Sequence, residues 1–338
     1  MTARVTGCAR LHFGFQNLSP ERERLFGGLG VALDRPRVVV EADPAADVRC
    51  TAAASVDDET VAAATRYAER AAALLEVDGA RVIVERALPR HVGLGSGTQL
   101  ALSTLAAVAR AHGREPEIRK YAGRLGRGRR SGVGIAAFEG GGFVVDGGRP
   151  TEAYPVEGAA DGVSSVPPVT VRRDVPEEWR FLLVFPDVPP GKSGNDEDAS
   201  MRAVLRRADP AIADRLGATV AQRVLPALAE ENVARFGAAV STVDRLNGLW
   251  YADEQGDTHR PPVGRIIDEL ADSRGVFGVG QSSWGPAVYG VTTTTHADAA
   301  REAGTRALER TGVGGDVMIA AGRNRGAITD ENKINRKN

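Results

Sequence analysis

Lysine is nearly missing from this chain of 338 residues: of 43 basic side chains only four are lysine, at positions 120, 192, 333 and 337. A Schiff-base lysine therefore has few candidates. Cationic recognition falls to arginine, whose planar guanidinium makes paired hydrogen bonds to phosphate and carboxylate. Lys192 lies in Pro189-Pro190-Gly191-Lys192-Ser193-Gly194, but Pro186 stands where a Walker loop has its first glycine, so that motif is excluded. Cys8 and Cys50 are too few for a disulfide or zinc framework, and the histidines at 12, 91, 112, 259 and 296 show no metal-ligand spacing. The net charge of −1 provides no basic field for nucleic acid, and no apolar run is long enough to span a membrane. Residues 1–15 scatter Arg4, Arg10 and His12 among small and apolar residues, unlike a secretory leader, so a cytoplasmic protein is expected.

At 42% hydrophobic and 26% charged residues the composition is that of a globular protein, and the length suits two modest domains. Apolar runs predict strands near 3–15, 29–34, 37–42 and 80–86. Helical periodicity predicts helices near 57–76, 96–112 and 116–125, followed by two short strands before Asp146. Residues 155–168, rich in Pro, Gly and Ser, read as a loop. Next come a buried strand over 180–185 and a helical region over 196–249 broken at Pro210 and Pro226. A helix over 263–273, two strands, a helix and a last strand near 317–320 follow. The mixture predicts an α+β protein with domains over 1–175 and 176–325 and a disordered polar tail over 326–338.

The densest signal is Pro89-Arg90-His91-Val92-Gly93-Leu94-Gly95-Ser96-Gly97-Thr98, a glycine-rich turn between a β-branched run and an apolar helix. The first turn of a helix has unpaired N–H groups and a dipole that favours negative charge, and glycines let a phosphate come close. Gly93, Leu94, Gly95, Ser96, Gly97 and Thr98 are accordingly candidate phosphate-binding residues, with the Ser96 hydroxyl a candidate ligand for Mg²⁺.

The loop resembles the Pro-x-x-x-Gly-Leu-Gly-Ser-Ser-Ala signature of the GHMP small-molecule kinases, departing from it at Gly97 and Thr98. Those kinases carry a Ser-Gly-x-Asp stretch whose aspartate is the base toward the substrate hydroxyl. Here Ser131-Gly132-Val133-Gly134 puts a glycine at that position, leaving no carboxylate to accept a proton.

Three further stretches resemble one non-kinase branch, the β-ribofuranosylaminobenzene 5′-phosphate synthases. They are Arg10-Leu11-His12-Phe13-Gly14-Phe15 with the glycine-rich 27–34, Gly142-Phe143-Val144-Val145-Asp146-Gly147-Gly148, and Gly278-Val279-Gly280-Gln281-Ser282-Ser283-Trp284-Gly285-Pro286. The resemblance, over most of residues 1–320, implies a ribosomal-protein-S5-like first domain, a ferredoxin-like second domain and a homodimer. It also implies a reaction in methanopterin biosynthesis. Phosphoribosyl pyrophosphate and 4-aminobenzoate or 4-hydroxybenzoate would form a C-riboside with release of pyrophosphate and CO2, assisted by Mg²⁺. A kinase using Asp146 as base, or a non-catalytic binder of a phosphorylated ligand, are the other readings.

Arg129 and Arg130, next to Ser131 and Gly132, either clamp a phosphate-bearing end or form a solvated helix end with Arg124 and Arg127. Arg10 and His12, two residues apart in a strand, either meet one anion together or are a surface arginine and a structural histidine. Asp146 is a candidate proton carrier or a turn residue, and Glu139 a candidate Mg²⁺ ligand. Ser193 either lines the site or sits in a surface turn. Gly280, Gln281, Ser282 and Ser283 form a third candidate binding loop, and Trp284 either stacks on a substrate ring or packs between domains.

Overall fold

The computed structural model describes residues 1–154, 165–191 and 194–332. The first unit runs β1 (Thr2–Asn17), β2 (Arg24–Pro44), β3 (Arg49–Ala52), α1 (Asp58–Leu75), β4 (Ala80–Arg86), α2 (Ser96–Ala111), α3 (Ile118–Ala122), α4 (Val133–Gly140), β5 (Phe143–Asp146), β6 (Arg149–Pro150) and β7 (Val169–Arg173). The second runs β8 (Trp179–Pro186), α5 (Gly194–Arg207), α6 (Pro210–Thr219), α7 (Leu225–Ala229), α8 (Val233–Gln255), α9 (Val263–Ala271), β9 (Gly278–Gln281), β10 (Val288–Thr293), α10 (Ala297–Thr311) and β11 (Gly315–Ala321). A final strand, β12 (Ile328–Asn332), closes the described chain.

The first sheet has the order β12-β1-β2-β4-β3, with β5 and β6 also on β2 and β7 on β5. β3 and β4 are parallel, as a crossover through α1 requires. α1 starts where the Asp57 side chain accepts the Thr60 N–H, and it buries Ala64, Ala68, Ala71 and Leu75 on one face. The second sheet, β11-β8-β10-β9, is antiparallel throughout, and its order with α9 and α10 is ferredoxin-like. Along β8, Leu182 and Val184 join a core with Ile266 and Leu270 of α9, while Phe181 and Leu183 join the main core. Both faces are covered, which is why β8 reads as a continuous apolar run. The α+β architecture is as expected.

Phe13, Phe143, Phe236 and Tyr289 join the two halves: Phe13 lies 5.0 Å from Tyr289 and 6.1 Å from Phe236, centroid to centroid, and Phe143 lies 5.8 Å from Phe236. Such edge-to-face packing fixes the sheets against each other.

Four expectations change. Residues 29–34 and 37–42 belong to one long strand, β2. Its pairing to β1 jumps from Arg37↔Cys8 to Ala32↔Arg10, so Pro36, which has no N–H, falls outside that ladder. One strand, β5, stands where two were expected before Asp146. Pro226 does not break its helix, because a π turn over Val220–Val224 carries the chain into α7. The polar 326–338 segment is not a tail in its first part: Ile328–Asn332 pairs with Thr2–Thr6, so the first sheet includes strands from both ends of the chain. Residues 155–164 of the expected loop lie outside the described residues.

Candidate active site

The glycine-rich turn leads into α2 through Gly93 and Gly95, both left-handed at φ 91° and 79°. A Cβ on Gly93 would stand 2.0 Å from the Ser282 carbonyl oxygen, so this approach admits only glycine. Three motifs far apart in sequence meet here. The Gly93 carbonyl accepts from Ser282 Oγ at 2.7 Å and from Arg10 Nη1 at 2.5 Å. Ser282 Oγ also accepts the His12 N–H at 3.1 Å, and the Ser283 N–H donates to the His12 carbonyl at 3.1 Å. Ser282 is fully buried, Leu94 belongs to the core, and Gly280 lies against Tyr289 and Asp244. These three expected binding residues are scaffold, while Gly93, Gly95, Ser96, Gly97 and Thr98 line a cleft.

The cleft has a volume of about 520 Å³ and is rich in arginine: Arg10, Arg127, Arg129 and Arg130 line it together with Arg66 and Arg90, which the sequence did not single out. Arg124 is not among the lining residues. Arg127 lies over the Tyr67 ring and donates to its hydroxyl at 2.7 Å. A Cβ on Gly97 would come within 3.1 Å of Arg127 Nη1, so the first departure from the kinase loop makes room for this guanidinium. Arg130 is held by Glu197 at 2.5 Å and by Asp198, and Arg129 reaches Asp198 at 3.4 Å. These carboxylates, from α5, are the acidic groups lining the cleft. Arg10 is half-buried, its Nε is buried without a hydrogen-bond partner, and desolvation draws its pKa down to about 10 against the pull of Glu197.

Gly134, at the kinase-base position, has a neighbour of its own. A Cβ there would meet Thr98 Cγ2 at 3.2 Å, so the second departure from the kinase loop occupies space an aspartate would need. Asp146 does not substitute for that aspartate. It is fully buried and accepts from Gly132 N–H at 2.7 Å, Gly148 N–H at 2.9 Å, Ser131 Oγ at 3.0 Å and the backbone of Gly28. Burial pushes its carboxyl above the usual range while these donors pull it back. The expectation of Asp146 as a proton carrier toward substrate is corrected to an anchor for the Ser131 turn. Ser131 Oγ donates to Asp146 and accepts the Val133 N–H, so the contact at 3.1 Å with His12 Nε2 is a bond that His12 donates. Burial first, then Arg10, depress the His12 pKa to about 3. Arg10 and His12 do line one cleft, but His12 does so as a neutral hydrogen-bonding group, so a shared cationic grip on an anion is corrected to Arg10 alone.

Glu139 is paired with Arg119 at 2.7 Å and is absent from the cleft lining, which removes it as a ligand for Mg²⁺. Among the described residues, no three or more His, Cys, Asp or Glu side chains are grouped to hold a metal. Ser96, Glu197 and Asp198 are oxygen donors within the cleft, and a phosphate-bound Mg²⁺ needs few protein ligands. Ser193 lies outside the described residues.

Beside the cleft lies a smaller recess sharing His12, Phe15, Ser283 and Trp284 with it. Trp284 meets the Tyr251 ring edge-on at 4.7 Å, so it packs at the junction and also faces both cavities. Gln281 lines the recess, and its Oε1 is buried without a partner. Opposite polar chemistry comes from Asp244 of α8: its Oδ1 accepts the Gln281 N–H at 2.8 Å and its Oδ2 meets His259 Nε2 at 2.8 Å. Desolvation lowers the His259 pKa, but the Asp244 hydrogen bond and charge outweigh it and the net shift is upward. Phe15, Asp244, Tyr251 and His259 were missed in the sequence, where nothing ties His259 to an aspartate fifteen residues earlier.

Residues 59–142 match the GHMP kinases N terminal domain and residues 224–310 the GHMP kinases C terminal region. The chain is 34% identical over 328 residues to a beta-ribofuranosylphenol 5′-phosphate synthase of Methanothermobacter thermautotrophicus, covering 95% of this chain and 96% of that one. It is 28% identical over 290 residues to the Archaeoglobus fulgidus protein of the same name, covering 84% and 86%. Among solved structures it is similar to homoserine kinase from Cytophaga hutchinsonii, with TM-score 0.63, 16% identity and 97% of each chain covered. Mevalonate kinase from Methanococcus jannaschii gives TM-score 0.65 at 13% identity over 95% of this chain and 98% of that one.

Proposed function

Because this chain belongs to the β-ribofuranosylphenol 5′-phosphate synthases, ribosyl-transferring enzymes on the GHMP kinase fold, we propose that it joins phosphoribosyl pyrophosphate to 4-hydroxybenzoate, releasing pyrophosphate and CO2 on a route to methanopterin. The relatives' names carry a phenol, which favours the hydroxy acid over 4-aminobenzoate. The observation that carries the reading is the junction of an arginine-lined cleft with an aromatic recess, at a site whose kinase-base position is Gly134 backed by Thr98.

Departure of pyrophosphate builds positive charge on the ribose and negative charge on the leaving group, so the protein must grip both phosphate-bearing ends and keep water out. The first turn of α2 and Arg10 supply fixed donors, and Arg127, Arg129 and Arg130 supply charge from the facing wall. Glu197 and Asp198 hold Arg129 and Arg130 by ion pairs, so a phosphate binding these guanidiniums competes with the two carboxylates. Mg²⁺, when bound, neutralises pyrophosphate charge, with Ser96, Glu197 and Asp198 as the residues to hold it. Phe15 and Trp284, which line both cavities, are the aromatic groups beside the cleft that can meet an aromatic acceptor, whose para substituent alone fits the recess of about 40 Å³.

The test is incubation of the protein with Mg²⁺, phosphoribosyl pyrophosphate and carboxyl-labelled 4-hydroxybenzoate, counting labelled CO2 and pyrophosphate, with 4-aminobenzoate and ATP in parallel. Equal release of the two products without ATP consumption is expected. ATP turnover without CO2 release would return the protein to the kinases.

A further inference from the structure

The recess has a second side. Asp244, Thr258 and His259 also line a cavity of about 470 Å³ beside α8, where Asp257 of the α8–α9 link and Asp268 of α9 stand together with one cation, Arg245 of α8. The Asp244–His259 pair is therefore the wall between an aromatic-lined recess and an acidic basin. Both oxygens of Asp244 are engaged, one by the Gln281 N–H and the other by His259 Nε2, so the pair is fixed in orientation. The carboxylate only accepts, hence in the neutral imidazole Nε2 carries the hydrogen and Nδ1 keeps the lone pair.

We propose, resting on the functional reading above, that His259 is a catalytic residue that takes the para-hydroxyl proton of the aromatic acceptor and returns it after CO2 has left, with Asp244 as its positioning residue. Such a group strengthens the attack, because a phenolate is a stronger carbon nucleophile than the neutral phenol. When the phenol O–H loses its proton to Nδ1, an electron pair flows through the ring. The carbon bearing the carboxylate then forms a bond to ribose C1 as the C1–O bond to pyrophosphate breaks. The ring is now a dienone with a tetrahedral carbon. Breaking its bond to the carboxylate releases CO2, and that electron pair restores the ring as a phenolate, which recovers the proton from His259. No oxidant or reductant enters, and no net proton is exchanged.

His259 suits this task better than His12, the other imidazole lining the recess. His12 donates through Nε2 to Ser131 and resists protonation, whereas Asp244, Asp257 and Asp268 all favour the charged form of His259.

His259→Gln tests the assignment through the pH profile of kcat on 4-hydroxybenzoate. At neutral pH a loss of about 100-fold is expected. The deficit should shrink toward a few-fold above roughly pH 9, where the phenol begins to ionise unaided. Asp244→Asn should show the same shape with a smaller deficit, and it carries the test if His259→Gln fails to fold. A deficit that stays constant across pH, or none at all, overturns the proposal. Wild-type protein that releases no CO2 from either acid overturns the functional reading instead.

Discussion

His12 and His259 line the same recess, and each is linked to a buried aspartate, yet their chemistry is opposite. Between His12 and Asp146 stands the Ser131 hydroxyl, which passes on a hydrogen bond but little charge, and Arg10 adds a like charge nearby. Burial then decides, and the imidazole stays neutral down to a pKa of about 3. Between His259 and Asp244 nothing intervenes, and the carboxylate outweighs desolvation. Burial, Arg10 and an intervening hydroxyl thus set a neutral donor apart from an imidazole whose charged form is favoured. The two aspartates differ likewise: Asp146 is consumed by four donors from its own turn, the Ser131 turn and β2, whereas Asp244 spends one oxygen on its histidine.

The comparison breaks most readily at Asp146. Asp146→Ala would strand the N–H groups of Gly28, Gly132 and Gly148 and the Ser131 hydroxyl, at a cost of roughly 3–5 kcal/mol in urea unfolding. A loss under about 1 kcal/mol would mean that water replaces the carboxylate and that the turn is not anchored by it.

The histidines tilt the pH dependence of stability in opposite senses. Because the folded pKa of His12 is depressed, the unfolded chain binds a proton that the folded one refuses. Stability should fall by up to about 1.4 kcal/mol per pH unit as pH drops from about 6.5 toward about 3. His12→Gln should flatten that limb in melting experiments at stepped pH, and an unchanged slope would show that His12 ionises freely in the fold.

The smallest effect belongs to His259, whose folded pKa is raised. Its contribution is complete below pH of about 6.5 and is lost as pH rises through the folded value, so His259→Gln should cost more stability at mildly acid than at alkaline pH. The reverse order, from the same melts, would remove the distinction between the two histidines.

Much of the arginine-lined cleft was legible in the sequence because its parts are local: glycines at left-handed positions, a helix start and neighbouring arginines lie within a few turns of chain. Even the departures at Gly97 and Thr98 were visible, although not their reasons, which are Arg127 and Gly134 across the fold. Glu139 was misread because position beside a glycine run says nothing about direction, and its side chain turns to Arg119. Strand β12 was misread because its polar residues carry no apolar pattern, and only the free edge of β1 makes a strand of them.

The sequence by itself determined that a glycine-rich turn opens α2, that the kinase-base position holds glycine and that apolar strands and helices alternate. Each depends on residue type and spacing within a short stretch. Tertiary structure alone decided which aspartate serves which histidine, that Asp146 is an anchor, and that Phe15, Tyr251 and Trp284 share a recess. The physical reason is that a protonation state is set by the groups within a few ångströms. Here those groups come from positions as far apart as His12 and Ser282, brought together only when the two sheets close on their shared aromatic core.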